Sequence, residues 1–322
     1  MYWKMDPDSI REPSFAAPKR EKRLISLAYK PEDEVIVKVE EKLKEAAKKA
    51  GYDLTVLYSN NSADVQLEQV KDARKRGYKA IIVNLVTPES APDILEAAGD
   101  MKVVFLAHVP SDLNILNKNA IFIGADQSGA GRLQGEWLAN YFKERGKNEI
   151  RYILIKGEEN LPLTQERTQA ALQALADNGI TAIPAAPPIV ANYERAEARS
   201  QLLPILQSGV KFDAIISNDD TMALGAIEAL ESLGMDPSKK VIVSIDAMEP
   251  GVRALLEGKL AMTVYLNRRE RALATIKAVD NMLNEKPFDE GMASLVSKDN
   301  PYVIIFPYQP VTRYQIPQDL YL

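Results

Sequence analysis

The chain has 322 residues, with 40 Lys and Arg against 45 Asp and Glu and a formal net charge of −5. This length exceeds what one hydrophobic core usually supports, so we expect two domains or lobes, and the mixed charge without a basic stripe argues against nucleic acid as the main partner. The sequence has no cysteine and one histidine, His108, which excludes thiol nucleophiles, disulfides, cysteine-based zinc sites and metal sites with two histidines.

The N-terminal stretch differs in composition from the rest of the chain. Residues 1–22 contain three prolines and alternating charges without hydrophobic periodicity, so we predict a flexible leader. They lack the apolar core of a signal peptide. No apolar run in the sequence approaches the roughly 18 residues that a membrane-spanning helix needs.

A first series of alternating elements follows the leader. Apolar runs and helical spacing predict strands at 24–29, 54–58, 80–84 and 103–107, with helices at 35–50, 63–76 and 92–98 between them. This alternation indicates a parallel sheet with right-handed crossovers on both faces. Asp33 precedes the first helix, either as a cap or as a ligand acceptor. His108 falls just past the fourth strand, where it either contacts a ligand or is solvated or bonded to backbone.

A second series begins after a short strand at 121–123. It is predicted to contain strands at 151–155, 214–217, 241–245 and 262–266, and helices at 129–145, 164–178, 194–207 and 249–257. Two similar series indicate two similar lobes. A later helix at 269–284 and strand-like pieces at 293–296 and 303–307 indicate that the chain crosses between the lobes more than once.

The run AIISNDDTMALGAIEAL, residues 214–230, reads as a strand, a polar turn and a helix, with Thr221 as the predicted cap. Asn218 and Asp219 then lie where a parallel strand ends and a ligand can be reached. The alternative is a capping cluster without a ligand.

Tests for enzyme motifs are negative. The glycines of GADQSGAGRLQG do not fit a dinucleotide fingerprint, and the sequence contains neither a Walker-type phosphate loop nor a G-x-S-x-G elbow. The carboxylate pairs Glu158/Glu159 and Asp219/Asp220 fall in loop sequence, where acids are usually solvated. We therefore predict that the protein is not an enzyme.

Seven runs in a defined order support a resemblance to a known family: VNLVTPESAPDILEAA, IFIGADQSGAGRLQGEWLA, IKGEE, ERTQAALQALADNGI, ISNDDTMALGAIEALESLG, VSIDAMEPGVRALLEGKLAMTV and FPYQPVT. The chain resembles the type I periplasmic binding proteins, most closely those for galactose and glucose. The resemblance implies an α/β fold of two Rossmann-like lobes, with parallel sheets flanked by helices, joined by a three-strand hinge with a ligand cleft between them. The expected N-terminal lobe is 23–123 plus 266–295, and the C-terminal lobe is 124–265 plus 296–322.

The resemblance also implies ligand-binding residues. Arg167 matches an arginine that forks onto sugar oxygens, and Tyr193 matches an aromatic that stacks on a sugar face. The remaining candidates are acids, an amide and further cationic groups: Asp33, Asn218, Asp246, His108 and Arg269, with Asn267 as the alternative to Arg269 if the alignment shifts by two places.

Where this sequence departs from the galactose and glucose pattern, most of the replaced polar or aromatic residues become aliphatic. Val35 replaces a stacking aromatic, Ala107 replaces an asparagine, and Leu161 and Leu163 replace a histidine and an aspartate. A pentose, a deoxy sugar or an inositol-like ring suits such a pocket, and an anionic sugar derivative is the second choice. The shortened loop 145–148 predicts no calcium, and neither a metal nor a cofactor is expected.

The function that the resemblance implies is that of an extracytoplasmic solute-binding protein, in the periplasm or lipid-anchored at the outer face of the cell membrane, with its signal or anchor outside this chain. It clamps a small polar ligand, a monosaccharide or polyol, and presents it to an ABC permease or a membrane sensor. The alternatives are a receptor for an anionic sugar derivative that feeds a two-component or chemotaxis sensor, and the effector domain of a LacI-type regulator. The second alternative requires a helix-turn-helix before residue 23, where the leader is short and proline-rich.

Overall fold

A computed structural model describes residues 23–31 and 34–321. The predicted leader at 1–22 and the candidate Asp33 lie outside the described residues. The α-helices are α1 (Glu34–Lys49), α2 (Ala63–Lys75), α3 (Ala91–Ala98), α4 (Gln127–Lys143), α5 (Pro162–Asp177), α6 (Arg195–Gln207), α7 (Asp220–Ser232), α8 (Glu249–Leu256) and α9 (Arg268–Leu283). The strands are β1 (Arg23–Ala28), β2 (Asp53–Tyr58), β3 (Ala80–Val83), β4 (Lys102–Leu106), β5 (Ala120–Ala125), β6 (Glu149–Lys156), β7 (Thr181–Pro184), β8 (Ile189–Val190), β9 (Ala214–Ser217), β10 (Val241–Val243), β11 (Thr263–Tyr265), β12 (Val303–Phe306) and β13 (Gln309–Val311).

The chain divides into two compact units. Unit 1 consists of the described residues up to Ala125 together with Arg268–Phe306. Unit 2 consists of Asp126–Asn267 together with the residues from Pro307 onward. The boundary differs from the predicted lobes in one substantial way: residues 296–306, expected in the C-terminal lobe, belong to unit 1. The reason is that β12 pairs in parallel with β5 and becomes an edge strand of the unit 1 sheet. Residues 266 and 267, expected in the N-terminal lobe, belong to unit 2.

Unit 1 contains a six-stranded parallel sheet in the order β12-β5-β4-β3-β1-β2. All residues of the central strand β3 are buried, as a strand covered on both faces requires. Helix α1 is amphipathic and buries Ile36, Val39 and Leu43. The chain returns to this unit through α9, which packs against α1.

Unit 2 contains a parallel sheet in the order β10-β9-β6-β7, with β8 also paired to β6, and an antiparallel pair of β11 and β13. Helices α4 and α5 pack closely because α4 carries glycines at the contact. A Cβ atom on Gly131 would lie 2.0 Å from the carbonyl oxygen of Arg167, and one on Gly135 would lie 2.2 Å from that of Ala171. The glycines of GADQSGAGRLQG therefore allow this helix contact.

The predicted elements of the first series lie within one residue of the observed bounds, and those of the second series within two. The predictions for three short segments were wrong or incomplete. Residues 293–296, predicted as strand-like, contain a 3-10 helix, Ala293–Leu295. The proline-rich connection after α5 contains β7 and β8, and β7 accommodates Pro184 because it is an edge strand. Strand β13 was not predicted. No helix in the described part of the chain combines the length and the apolarity needed to cross a membrane.

Candidate functional site

The candidate site of unit 2 lies at the carboxyl ends of its parallel strands. Strands β6, β9 and β10 run parallel to one another, so the residues that follow them share one edge of the sheet. Gly157 follows β6, Asn218 follows β9, and Asp246 lies three residues after β10. Helix α5 brings Arg167 to the same edge.

Arg167 is buried and lies at the centre of this cluster. Its Nε donates to Gln127 Oε1 at 2.8 Å, its Nη1 to the Asn218 carbonyl oxygen at 2.7 Å, and its Nη2 to Tyr308 Oη at 3.2 Å. The Nη2 atom also lies 3.8 Å from Asp246 Oδ1. Burial acts to lower the pKa of Arg167, but interactions with Tyr308 and Asp246 outweigh it and raise the pKa overall. The guanidinium therefore stays charged.

Asn218 has no exposed surface and is held by its neighbours. Its Oδ1 accepts from the Gly157 amide at 3.2 Å, and its Nδ2 donates to Thr168 Oγ1 at 3.1 Å. Because its carbonyl oxygen accepts from Arg167, Asn218 connects the end of β9 to two positions of helix α5. An amide nitrogen carries two hydrogens, so Nδ2 retains one donor beyond its bond to Thr168.

Asp246 adopts a backbone conformation that is uncommon for a side-chain-bearing residue. Its φ is 107° and that of Ala247 is 48°, both in the left-handed region. The amide of Asp246 donates to the Val264 carbonyl oxygen at 2.8 Å, which ties the turn to strand β11. The turn presents the Asp246 carboxylate next to Arg167.

Two further acids lie beside this pair. Asp219, and not the predicted Thr221, caps helix α7, because its Oδ1 accepts from the Met222 amide at 2.9 Å. Burial, with a contribution from Asp246, raises the pKa of Asp219 well above its ordinary value. Asp220 accepts from the Ser244 hydroxyl, from Thr263 Oγ1 at 2.7 Å and from the Met248 amide at 2.7 Å.

The pKa of Asp220 is about 7, raised from 3.8 chiefly by burial. The residue is 1% exposed, so its side chain is enclosed by protein.

Tyr193 supplies an aromatic ring above a glycine. Its Oη is hydrogen-bonded to Thr164 Oγ1 at 2.7 Å, and a Cβ atom on Gly157 would lie 2.0 Å from its Cζ. Its φ is 62°, and the residue is half-buried. Burial raises the pKa of the phenol, so it remains a neutral hydroxyl. Leu161 and Leu163, half-buried, stand at the start of the same helix as Thr164.

His108 and Arg269 belong to unit 1. The Nδ1 of His108 donates to the Leu85 carbonyl oxygen at 2.7 Å, which fixes the tautomer with a proton on Nδ1. The imidazole ring lies 4.7 Å from the ring of Tyr29, centroid to centroid, at 32°. Arg269 is half-buried in the first turn of α9, whereas Asn267, the alternative position, is buried in unit 2 just after β11.

The structure thus brings together four of the predicted residues in unit 2: Arg167, Tyr193, Asn218 and Asp246. Their role toward a ligand stays a prediction, as do the roles of His108 and Arg269. Three polar residues next to the candidates were missed: Gln127 and Tyr308, which accept from Arg167, and Tyr29, whose ring lies beside that of His108. Tyr308 lies in the run FPYQPVT, and Tyr29 directly follows the first strand, so an aromatic at a strand end was the available signal. Among the described residues no group of three or more acidic or histidine side chains is arranged to hold a metal ion.

Comparison with known proteins gives the family. A model of the periplasmic binding protein domain matches residues 25–287. The D-galactose/methyl-galactoside binding periplasmic protein MglB of Haemophilus influenzae is 30% identical over 290 residues, covering 86% of this chain and 86% of that protein.

Two solved structures share the fold. One is an ABC transporter solute-binding protein from Bacillus halodurans with bound myo-inositol, at a TM-score of 0.74 and 25% identity, covering 91% of this chain and 96% of that one. The other is a periplasmic solute-binding protein from Actinobacillus succinogenes with bound D-allose, at a TM-score of 0.78 and 19% identity, covering 92% and 99%. These relatives are transport proteins that bind sugars or polyols and are not enzymes, and their fold is the predicted α/β fold with parallel sheets flanked by helices. The chain therefore belongs to the periplasmic binding protein family.

Proposed function

We propose that this chain is a solute-binding protein that takes up a neutral monosaccharide or a related polyol outside the cytoplasm and delivers it to an ABC permease. The observation that carries the proposal is the buried pair of Arg167 and Asp246 at the carboxyl edge of unit 2. The family is extracytoplasmic, and the named relatives bind galactosides or myo-inositol.

The chemistry of the pair suits hydroxyl groups. A guanidinium has five N–H donors, and the protein uses three of those of Arg167, on Gln127, Asn218 and Tyr308. The other two can donate to sugar oxygens while the Asp246 carboxylate accepts from a neighbouring hydroxyl. A hydroxyl can both donate and accept a hydrogen bond. Two neighbouring hydroxyls of a sugar therefore match the Arg167 donors next to the Asp246 acceptor.

Apolar groups from the loop before α6 and from the start of α5 narrow the ligand class. The ring of Tyr193 offers a face for the C–H side of a sugar or cyclitol. Leu161 and Leu163 occupy positions that are polar in the galactose and glucose pattern, and a buried hydroxyl facing a leucine would lose its hydrogen bonds. We therefore favour a pentose, a deoxy sugar or an inositol-like ring over glucose or galactose.

The neutral ligand is favoured over the anionic alternative because of the acids around Arg167. Asp219 and Asp246 both interact with this guanidinium, and Asp220 lies close to Asp246. A ligand carboxylate or phosphate at Arg167 would meet the Asp246 carboxylate that already pairs with this guanidinium, and like charges in a poorly solvated site repel strongly. Asp33, His108 and Arg269 are the residues outside unit 2 that we propose as further ligand contacts.

The test is isothermal titration calorimetry with D-ribose, L-arabinose, myo-inositol, D-galactose and D-glucuronate. We expect saturable binding of at least one neutral compound, with a Kd of micromolar or below, and none of glucuronate. Arg167→Lys should weaken binding at least about tenfold, because lysine cannot reproduce the planar fork of donors. Arg145→Lys, an exposed position on unit 2, is the matched control and should leave the Kd unchanged. Tight binding of glucuronate, with no binding of the neutral compounds, would overturn the neutral-ligand proposal.

A further inference from the structure

Asp220 is buried, charged at neutral pH in part, and does not reach the surface where a ligand would sit. It is not the helix cap either, since Asp219 has that role. Its two carboxyl oxygens instead bind three donors from two separate segments: Ser244 and Met248 from the turn after β10, and Thr263 from β11. The hydrogen bonds thus join the N-terminus of α7 to the turn that carries Asp246.

The turn needs such support because its backbone is unfavourable by itself. Asp246 and Ala247 both have positive φ, a conformation in which the Cβ atom of a residue with a side chain crowds its own backbone. Thr263 Oγ1 also accepts from the Ala247 amide at 3.2 Å, so it connects Asp220 to the middle of the turn. Gly251 also packs against the carboxyl group, since a Cβ atom at this position would lie 2.2 Å from Asp220 Oδ2.

We propose that Asp220 is a positioning residue for ligand binding, which holds Asp246 in its left-handed turn so that the Asp246 carboxylate faces the ligand beside Arg167. This inference rests on the proposed function. Asp220 itself, at 1% exposure, makes no contact with the ligand. Its three donors all lie within three residues of Asp246 or on the strand that receives the Asp246 amide.

An isosteric amide provides the decisive comparison. In Asp220→Asn the amide oxygen can accept from the Met248 amide, while the amide nitrogen can donate to the hydroxyls of Ser244 and Thr263, each of which can accept. The turn keeps its hydrogen bonds and only the charge is removed. In Asp220→Ala all three partners lose their acceptor. The two variants separate support of the turn from an effect of charge.

The experiment measures Kd and hydrogen exchange on the whole chain. The probes are D-ribose, L-arabinose and myo-inositol by calorimetry, and amide exchange is read at Met248 by NMR or on the peptide that spans residues 244–250. Asp220→Ala should weaken binding at least about tenfold and speed exchange of the Met248 amide at least about tenfold, because its buried acceptor is gone. Asp220→Asn should stay within about threefold of the parent chain in both measurements.

Glu40→Ala in unit 1 is the control for general destabilisation. Glu40 is a buried acid of α1 that accepts from Ser26 Oγ at 2.9 Å. Its variant should lower the melting temperature but leave the Kd and the Met248 exchange rate unchanged.

The outcomes are distinguishable. Parent-like exchange at Met248 in Asp220→Ala overturns the inference, whether or not a sugar binds. Weak binding by Asp220→Asn with a fully protected turn also overturns it, since the charge would then act on the ligand directly. If none of the probes binds the parent chain, the choice of ligand class in the proposed function fails, while hydrogen exchange still decides whether Asp220 holds the turn.

Discussion

Replacing Asp220 by asparagine should change how stability depends on pH. In the folded protein the pKa of Asp220 is about 7, against 3.8 for an ordinary aspartate, because the carboxyl group is buried. The folded state therefore holds a proton between pH 4 and pH 7 that the unfolded chain has released. The unfolded state binds fewer protons in this window, so the free energy of unfolding falls as pH rises. The contribution is fully present below the unfolded pKa and is lost above the folded one.

The magnitude follows from the pKa shift. One pKa unit corresponds to about 1.4 kcal/mol. Between pH 5 and the folded pKa of about 7, the pH rises through about two units in which only the folded state holds the proton. Asp220 alone should therefore lower the free energy of unfolding by about 3 kcal/mol over this range. Asp219, with its raised pKa, acts in the same direction.

The assay is urea unfolding followed by circular dichroism at half-unit steps from pH 5 to pH 8. The parent chain should become less stable across the range, and the curve of Asp220→Asn should be flatter by about 3 kcal/mol, because the asparagine cannot ionise. The two curves should lie furthest apart at pH 8 and approach each other as the pH falls toward 3.8, below which Asp220 is protonated in the folded and the unfolded chain alike. Parallel curves for the parent and the variant would refute this account of Asp220.

Three further predictions test other contacts. Glu40→Gln should flatten the pH dependence in the same direction, because burial raises the pKa of Glu40 from 4.5 to about 7; urea unfolding over the same pH range measures it, and an unchanged slope contradicts it. Tyr308→Phe should weaken sugar binding several-fold, since it removes a hydroxyl bound to Arg167; calorimetry decides, with Tyr302→Phe in unit 1 as the matched control. Gly157→Ala should displace the ring of Tyr193, whose Cζ would lie 2.0 Å from the new methyl group; a parent-like Kd would show that the ring does not stack on the ligand.

Local pattern was enough to predict most helices and strands and the strand-end position of the site. Arg167 and Asn218 could be located because each belongs to a run with a recognisable order along the chain, and the structure places them 2.7 Å apart, Nη1 to carbonyl oxygen. Which residue of the polar turn caps α7 could not be read from composition. Asp219 and Thr221 are both good caps, and the geometry at the end of β9 selects the aspartate.

Long-range pairing was the part that sequence could not supply. Strand β12 lies far along the chain from β5, and its assignment to unit 1 depends on a ladder between them that no local pattern encodes. The same applies to Tyr308, which reaches Arg167 across 141 positions of sequence. The role of Asp220 was hidden for a related reason, because its three partners lie 24 to 43 residues away.

The glycine contact between α4 and α5 has a consequence for redesign of the site. Gly131 of α4 lies against the backbone of Arg167, so the packing of the two helices fixes the position of Arg167. Gln127, in the first turn of α4, accepts a hydrogen bond from Nε of Arg167 and orients the guanidinium. Leu161 and Leu163, which differ from the galactose pattern, lie before Arg167 at the N-terminal end of α5. An engineer could therefore exchange these leucines to retune selectivity while the guanidinium remains a fixed reference point.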